Sequence, residues 1–268
     1  MAGRTGRHLA PIVVLMTVVG LTAACAEPGT SVSTEEKKST GAAAPEKPVQ
    51  RPVPLTAAEL GAALLTEEQA VGYTITGGDS RTGASTASSA VETASPGTCL
   101  PLRQIRRQSA PGRGESAAAW STMYRGDGGV SPRTTLLTSY PVATARTRMK
   151  ELRQGVETCG RFTVRNAYGT SSVTTEKLSV PDLGEEAVRY RLLGRTELSS
   201  GDKGSDYSLV TAVRSGGVIV VVETSEVLGL LPPAELAGFK PEPGPDEQVI
   251  AAQAEKAAEA ERGALSGG

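Results

Sequence analysis

The sequence predicts an α+β fold, a single antiparallel β-sheet with helices packed on one face and one disulfide. Three observations lead to this prediction. Strand-like runs follow one another with short turns in residues 116–141 and again in residues 161–226. One long amphipathic helix separates these two groups, and an alanine-rich helix follows the second. Strands that are grouped in this way, rather than alternating singly with helices, are typical of antiparallel sheets.

The first predicted helix lies in "LTAAELGAALLT". Thr56 and Glu59 have the spacing of a capping box, and Leu60, Ala63 and Leu64 follow at helical intervals. The next stretch, "VGYTIT", predicts a strand. Residues 77–97 are rich in Gly, Ser, Thr and Ala, and this composition predicts a long loop that ends just before Cys99.

The clearest helix is "VATARTRMKELRQGVETC". Val142, Ala145, Met149, Leu152 and Val156 recur at steps of three and four, which gives the helix one apolar stripe. Gly160 follows Cys159 at its end, and glycine is the usual residue just past the end of a helix.

The remaining segments predict strands, two of them in a clear hairpin. In "DYSLVTAVRSGGVIVVVETSE", two β-branched runs flank Ser215-Gly216-Gly217. Val218–Val222 is apolar on both faces, which predicts a central place in the sheet. The other predicted strands are "SAAAWSTMYRG", "PRTTLLTSYP", "RFTVRN", "SVTTEKLSV" and "EAVRYRLLGRTEL", and the last helix is "DEQVIAAQAEKAAEAERGAL".

The amino-terminal residues predict a lipoprotein export signal. A positive start and an apolar core lead to Thr22-Ala23-Ala24, small residues that directly precede Cys25. This stretch resembles a bacterial lipobox, with Thr22 where leucine is usual. We expect diacylglycerol and an acyl chain such as palmitate on Cys25, because two or more chains anchor a protein stably. The alternative is a buried cysteine of an uncleaved signal anchor. The predicted location is the outer, extracytoplasmic face of the cell membrane.

The cysteine count fits this interpretation. The chain has 3 cysteines, and an odd number in an exported protein needs an explanation. With lipid on Cys25, Cys99 and Cys159 remain as an even pair that an oxidising compartment allows to form a disulfide. A redox pair is the alternative, but these two lack the C-x-x-C spacing that lowers a thiol pKa.

Composition divides the chain into four parts. Residues 1–24 are the predicted signal peptide, and residues 25–54 are a predicted disordered tether, because they hold hardly any large apolar side chain. Residues 55–263 are one predicted folded domain, and residues 264–268 are a flexible tail.

Several stretches of the domain resemble a known family. They are "LLTEEQAVGYTI", an isolated cysteine, a helix ending in Cys-Gly-Arg-Phe, "VPDLGEEAVRYRL", a valine-rich hairpin and an alanine-rich last helix. Together they resemble actinobacterial PknH-type extracellular sensor domains over residues 55–263. The resemblance implies a mixed antiparallel sheet with helices and a cleft for a ligand. It implies no catalytic residues, and the second disulfide of the kinase-type members has no counterpart here.

Composition also excludes several kinds of chemistry. The only histidine is His8, inside the predicted signal, so the domain lacks histidine-activated nucleophiles and the usual zinc ligands. A formal net charge of −1 gives no basic excess for nucleic acid. Asp202 and Asp206 lack the alternating ligands of a calcium loop. We therefore expect no enzyme activity, no cofactor, no metal and no nucleic-acid partner.

One basic cluster beside Cys99 is the candidate ligand contact. We predict that Arg103, Arg106 and Arg107 bind an anionic group, with a solvated helix face as the alternative. The predicted function is a lipid-anchored, non-catalytic binding or sensor lipoprotein that serves a cell-envelope ligand or protein partner. Two alternatives remain open. One is a carrier of lipid or another hydrophobic molecule, and the other is a carboxylate-dependent cell-wall hydrolase.

Overall fold

The structure is a computed structural model that describes residues 53–82, 92–107, 114–126, 131–167, 169–198, 200–240 and 246–263. All of them belong to one compact unit, Glu46–Gly268. The predicted signal peptide, Cys25, residues 25–52 of the predicted tether and the tail 264–268 lie outside the described residues. The lipidation of Cys25 therefore stays a prediction.

The described residues form five α-helices and nine strands. The helices are α1 (Ala57–Ala62), α2 (Pro101–Gln104), α3 (Val142–Thr158), α4 (Pro233–Gly238) and α5 (Glu247–Gly263). The strands are β1 (Tyr73–Thr82), β2 (Thr93–Ser95), β3 (Ala117–Arg125), β4 (Arg133–Ser139), β5 (Arg161–Asn166), β6 (Gly169–Leu178), β7 (Glu186–Leu198), β8 (Lys203–Ser215) and β9 (Val218–Gly229).

All nine strands join one antiparallel sheet in the order β1-β3-β4-β9-β8-β7-β6-β5-β2. The predicted α+β class and single antiparallel sheet are therefore confirmed. β9 lies between β4 and β8, and Val218–Val222 is buried throughout, so the predicted central position of this run is confirmed as well.

The helices cover both faces of the sheet, and the prediction of helices on one face is wrong in this respect. Ile219 and Val221 of β9 pack in the same core as α3, whereas Val218, Val220 and Val222 pack with α1 and α5. We call these two sides the α3 face and the α5 face. The physical reason lies in β9 itself, because a strand that is apolar on both faces needs cover on both.

The core on the α3 face is built on the predicted helical stripe. Ala145, Met149, Leu152 and Val156 are buried and belong to one cluster with apolar side chains of β4, β7, β8 and β9. Burying a leucine or methionine side chain contributes about 1.5–3 kcal/mol. The stripe predicted from the sequence is thus the surface that holds α3 on the sheet.

The core on the α5 face uses smaller side chains and one buried amide. Ala254 and Ala257 of α5 are buried against the sheet. Gln253 is fully buried, and its Nε2 donates to the Ala63 carbonyl at 2.7 Å while its Oε1 accepts from the Leu65 N–H at 3.1 Å. This amide fixes the end of α1 against α5. The predicted capping box at Thr56 and Glu59 is present in α1.

The loop predicted for residues 77–97 is wrong at residues 77–82 and 93–95, which form strands. β1 continues through Gly77 and Gly78 to Thr82, paired with β3, and the register shifts between Ile75 and Gly77. β2 forms at Thr93–Ser95 on β5. Residues 83–91 lie outside the described part of the chain. Backbone hydrogen bonds to an existing strand form with any residue type, so weak β-propensity did not prevent pairing here.

The predicted disulfide is confirmed. Cys99 and Cys159 are bonded, their Cα atoms are 5.7 Å apart, and both side chains are buried. The bond joins the short 3₁₀ turn Gly97–Cys99 to the residue that follows α3. It closes a loop with a sequence separation of 60 residues.

Replacing both cysteines with alanine should lower the free energy of unfolding by about 2–5 kcal/mol, since the bridge restricts the unfolded chain. Urea denaturation of the oxidised wild type and the double variant measures the difference. Reductant should shift the wild-type midpoint and leave the double variant unchanged. Equal midpoints of the oxidised wild type and the variant would show that the bridge contributes nothing.

Candidate functional site

The predicted basic cluster lies over the α3 face and forms ion pairs within the chain. Arg103 belongs to α2, and Arg106 and Arg107 follow it, all three half-buried. Arg106 binds the carboxylate of Glu223 on β9, and its Nη1 donates to the Ser208 hydroxyl at 2.6 Å. Burial pulls the pKa of Arg106 down, but Glu223, Tyr190 and Asp206 together outweigh this and raise the pKa above its ordinary value.

The other two arginines share one buried carboxylate. Arg107 binds Glu92, and Arg103 Nε lies 3.5 Å from Glu92 Oε1. The Glu92 side chain is buried from solvent. Arg103 Nη1 also lies 3.9 Å from Asp206 Oδ2. Burial and the adjacent Arg106 hold the pKa of Arg103 below its ordinary value.

Contacts with the neighbouring core fix the position of this charged cluster. The Tyr190 hydroxyl donates to the Leu102 carbonyl at 2.9 Å, and burial raises the pKa of this phenol. Asp206 lies opposite Gly194 in the β7–β8 register, where a side chain on residue 194 would overlap its carboxylate. The three arginines are therefore not a solvated helix face. Their role in binding a ligand stays a prediction, and it would require these pairs to open.

The other polar candidates also serve the fold. Asp202 binds the Ser200 hydroxyl in the β7–β8 turn, while Asp206 accepts from Thr196 on the α3 face. Within the described residues, no group of three or more His, Cys, Asp or Glu side chains has a metal-binding arrangement.

Arg214 binds both of the adjacent carboxylates, Glu185 and Glu186. Arg214 Nη1 lies 2.8 Å from Glu185 Oε2, and its Nη2 lies 2.8 Å from Glu186 Oε1. Arg153 of α3 binds the second oxygen of Glu186 at 2.5 Å. These carboxylates therefore stabilise the start of β7 and do not pair with the predicted basic cluster.

A groove that the sequence did not predict lies on the α5 face, beneath α4. We call it the α4 groove, and its volume is about 430 Å³, within the usual range for small-molecule sites. The sheet supplies its floor, and α4 supplies its apolar wall. The floor is formed by Arg161, Ser172, Thr174, Leu193 and Arg195. The wall is formed by Pro233, Leu236 and Ala237.

The position of α4 over the sheet is fixed by two apolar contacts. Leu236 is buried, and Phe239, which follows the helix, packs edge-on against Tyr207 of β8 with ring centroids 5.3 Å apart. The Leu231 N–H, just ahead of the helix, donates to the Ser205 hydroxyl at 3.0 Å. These contacts fix the position of α4 relative to the floor of the groove.

The electrostatics of the groove differ from those of the basic cluster. Among the described residues, no carboxylate pairs with Arg161 or Arg195, and no acidic side chain lines the groove. The carboxylates closest in the strand register are engaged elsewhere. Glu176 binds Arg191 Nε at 2.6 Å, and Glu197 lies 3.9 Å from Lys203 Nζ. The groove thus presents two arginines beside an apolar wall.

The sequence signal for this groove was weak. Arg161, Ser172, Thr174 and Arg195 lie on three strands, and each occupies an outward position of an alternating pattern. The alternation of apolar and polar residues along a strand predicts only that such side chains lie on the solvent-facing side of the sheet. Only the register of β5, β6 and β7 brings them together, and only the placement of α4 gives them a wall.

Comparisons with known proteins find a similarity among solved structures. No family model and no curated protein matches the chain. Among solved structures, it is similar to the crystal structure of the extracellular domain of PknH from Mycobacterium tuberculosis. The TM-score is 0.47 and the identity 16%, over 78% of this chain and 100% of that one. The resemblance expected from the sequence named the same type of domain. No helix among the described residues is long and apolar enough to span a membrane.

Replacing Arg106 with methionine should lower the free energy of unfolding by about 3–5 kcal/mol, because Glu223 would remain buried without its partner. The double variant Arg106→Met/Glu223→Met should recover much of this loss. Urea denaturation measures all three proteins. As a control, Lys177→Met removes an exposed pair with Glu157 and should cost about 1 kcal/mol or less. Equal losses for Arg106→Met and Lys177→Met would contradict a buried structural pair.

Proposed function

We propose that this chain is a lipid-anchored, extracytoplasmic binding lipoprotein whose domain binds a ligand in the α4 groove and performs no catalysis. The observation that carries the binding role is the pair Arg161 and Arg195, which line a groove without a described carboxylate partner. Elsewhere on the domain, Arg189 and Arg214 each engage a carboxylate. Two guanidinium groups that line one groove with no described carboxylate beside them favour an anionic ligand, because arginine binds such groups through charge-assisted hydrogen bonds.

The sequence gives the main support for the anchor. The small residues before Cys25 and the pairing of the other two cysteines support lipidation, because the confirmed bridge leaves Cys25 as the unmatched thiol. An exported chain with an oxidised pair also fits an oxidising compartment. Signal peptide, tether and anchor together support a location on the outer face of the cell membrane.

The described geometry favours neither alternative function. A lipid carrier needs an enclosed apolar cavity, whereas the α4 groove is an open surface feature with a charged floor. A carboxylate-dependent hydrolase needs two carboxyl groups that face one bond. The adjacent carboxylates Glu185 and Glu186 are both bound to Arg214.

Labelled palmitate should enter the wild-type protein and not Cys25→Ser, since the thiol is the acceptor of the lipid. Labelling in the native host, followed by electrophoresis and cell fractionation, measures this. Cys99→Ser/Cys159→Ser is the matched control and should still be labelled. Equal labelling of the wild type and Cys25→Ser would contradict the anchor.

An extract of the host cell envelope should raise the melting temperature of the full chain, because a ligand that binds only the folded state stabilises it. Ala237→Trp places a bulky ring in the groove and should abolish the rise while leaving the basal melting temperature nearly unchanged. Ala234→Trp lies on the same helix, exposed and outside the groove, and should respond like the wild type. An undiminished rise for Ala237→Trp would place binding elsewhere, and no rise in any protein would count against a binding function.

A further inference from the structure

We propose that the α4 groove selects an anionic amphiphile, a molecule with a phosphate-like headgroup and a short apolar portion. This inference rests on the proposed function and specifies its ligand. The headgroup lies between Arg161 and Arg195 on the floor, and the apolar portion lies against Leu193 and the wall formed by α4.

The strand register places the two arginines at opposite corners of a small polar patch. Arg161 on β5 lies opposite Thr174 on β6, which lies opposite Leu193 on β7. Two residues further along on the same face, Ser172 on β6 lies opposite Arg195 on β7. Two strand spacings and a two-residue offset put the arginine Cα atoms about 12 Å apart. Two long side chains at this separation can converge on one anion between them.

The groups between the arginines are hydroxyls. Ser172 and Thr174 form the middle strand of the patch, and both are exposed on the floor. A hydroxyl donates one hydrogen bond, and a guanidinium presents five N–H donors in a planar fork. Such a set matches the several acceptor oxygens of a phosphate, which arginine binds in bidentate fashion. Selection for an anion follows, because the described lining offers no acidic side chain to bind a cation.

The apolar part of the groove distinguishes an amphiphile from a free anion. Leu193 lies in the same row as Arg161, and the exposed residues Pro233 and Ala237 line the wall formed by α4. A site for inorganic phosphate alone gains nothing from these side chains, whereas an alkyl or similar group on the anion removes their surface from water. The groove therefore favours the substituted anion over the free one.

The experiment uses isothermal titration calorimetry on the full chain in a neutral maltoside detergent, with three probes. Hexyl phosphate should bind, inorganic phosphate should bind at least tenfold more weakly, and hexyl glucoside, with the same chain and no charge, should give no binding. The affinity for hexyl phosphate should fall as sodium chloride is raised, because salt screens the charges.

Matched variants locate the binding. Arg161→Gln and Arg195→Gln should each weaken hexyl phosphate at least tenfold. Arg165→Gln, on the same strand and face as Arg161 but outside the groove, should stay within twofold of the wild type. Equal losses in all three variants would show diffuse attraction by surface charge and overturn the proposal. Equal affinity for inorganic and hexyl phosphate would overturn the amphiphile and leave a simple anion site.

Failure of this inference is separable from failure of the proposed function. If envelope extract stabilises the wild type and not Ala237→Trp, while hexyl phosphate does not bind, then the groove binds a ligand of another class and the inference is overturned alone. If neither the extract nor hexyl phosphate has any effect, both are overturned.

Discussion

The architecture depends on β9, a strand that is apolar on both faces at the centre of the sheet. Its side chains alternate between two cores, so helices are needed on each side. A sheet of nine strands is roughly 40 Å wide, whereas one helix covers about 10 Å. On the α5 face, α5 contacts β8 and β9, and α1 contacts β1, β3 and β4. β5, β6 and the second half of β7 lie beyond α5 on this face, and the groove forms where the short α4 lies over them.

The arginines of the charged cluster over the α3 face differ from those of the α4 groove in their pairing with carboxylates. Arg106 finds Glu223, 117 residues further along the chain, and Arg103 and Arg107 find Glu92. In such surroundings a charge that loses its partner is costly. Arg161 and Arg195 lie on the α5 face in the α4 groove, where the described residues offer them no carboxylate. The first set holds α2 to the sheet, and the second set lies where we propose that a ligand binds.

Local patterns predicted the elements whose formation depends on neighbours in sequence. The stripe of α3, the capping box at Thr56 and the hairpin around Gly216 are properties of short windows, and all are present. The disulfide followed from counting cysteines. The second half of β1, the strand β2 and the division of helices between two faces depend on partners far away in sequence. The same limit applies to the site, since nothing near Arg103 in the sequence indicates its pairing with Glu92, and nothing near Arg195 indicates that α4 will lie beside it.

The bond between Cys99 and Cys159 has a further consequence for the edge of the sheet. β2 is only three residues long, yet it pairs with Thr163–Arg165 of β5 and occupies hydrogen-bonding groups that would otherwise face solvent. So short a strand holds its position through its surroundings, and the bridge fixes the chain four residues after Ser95. Open strand edges are templates for pairing between molecules. Formation of this disulfide should therefore keep β2 on β5 and leave that edge of β5 closed to pairing between molecules.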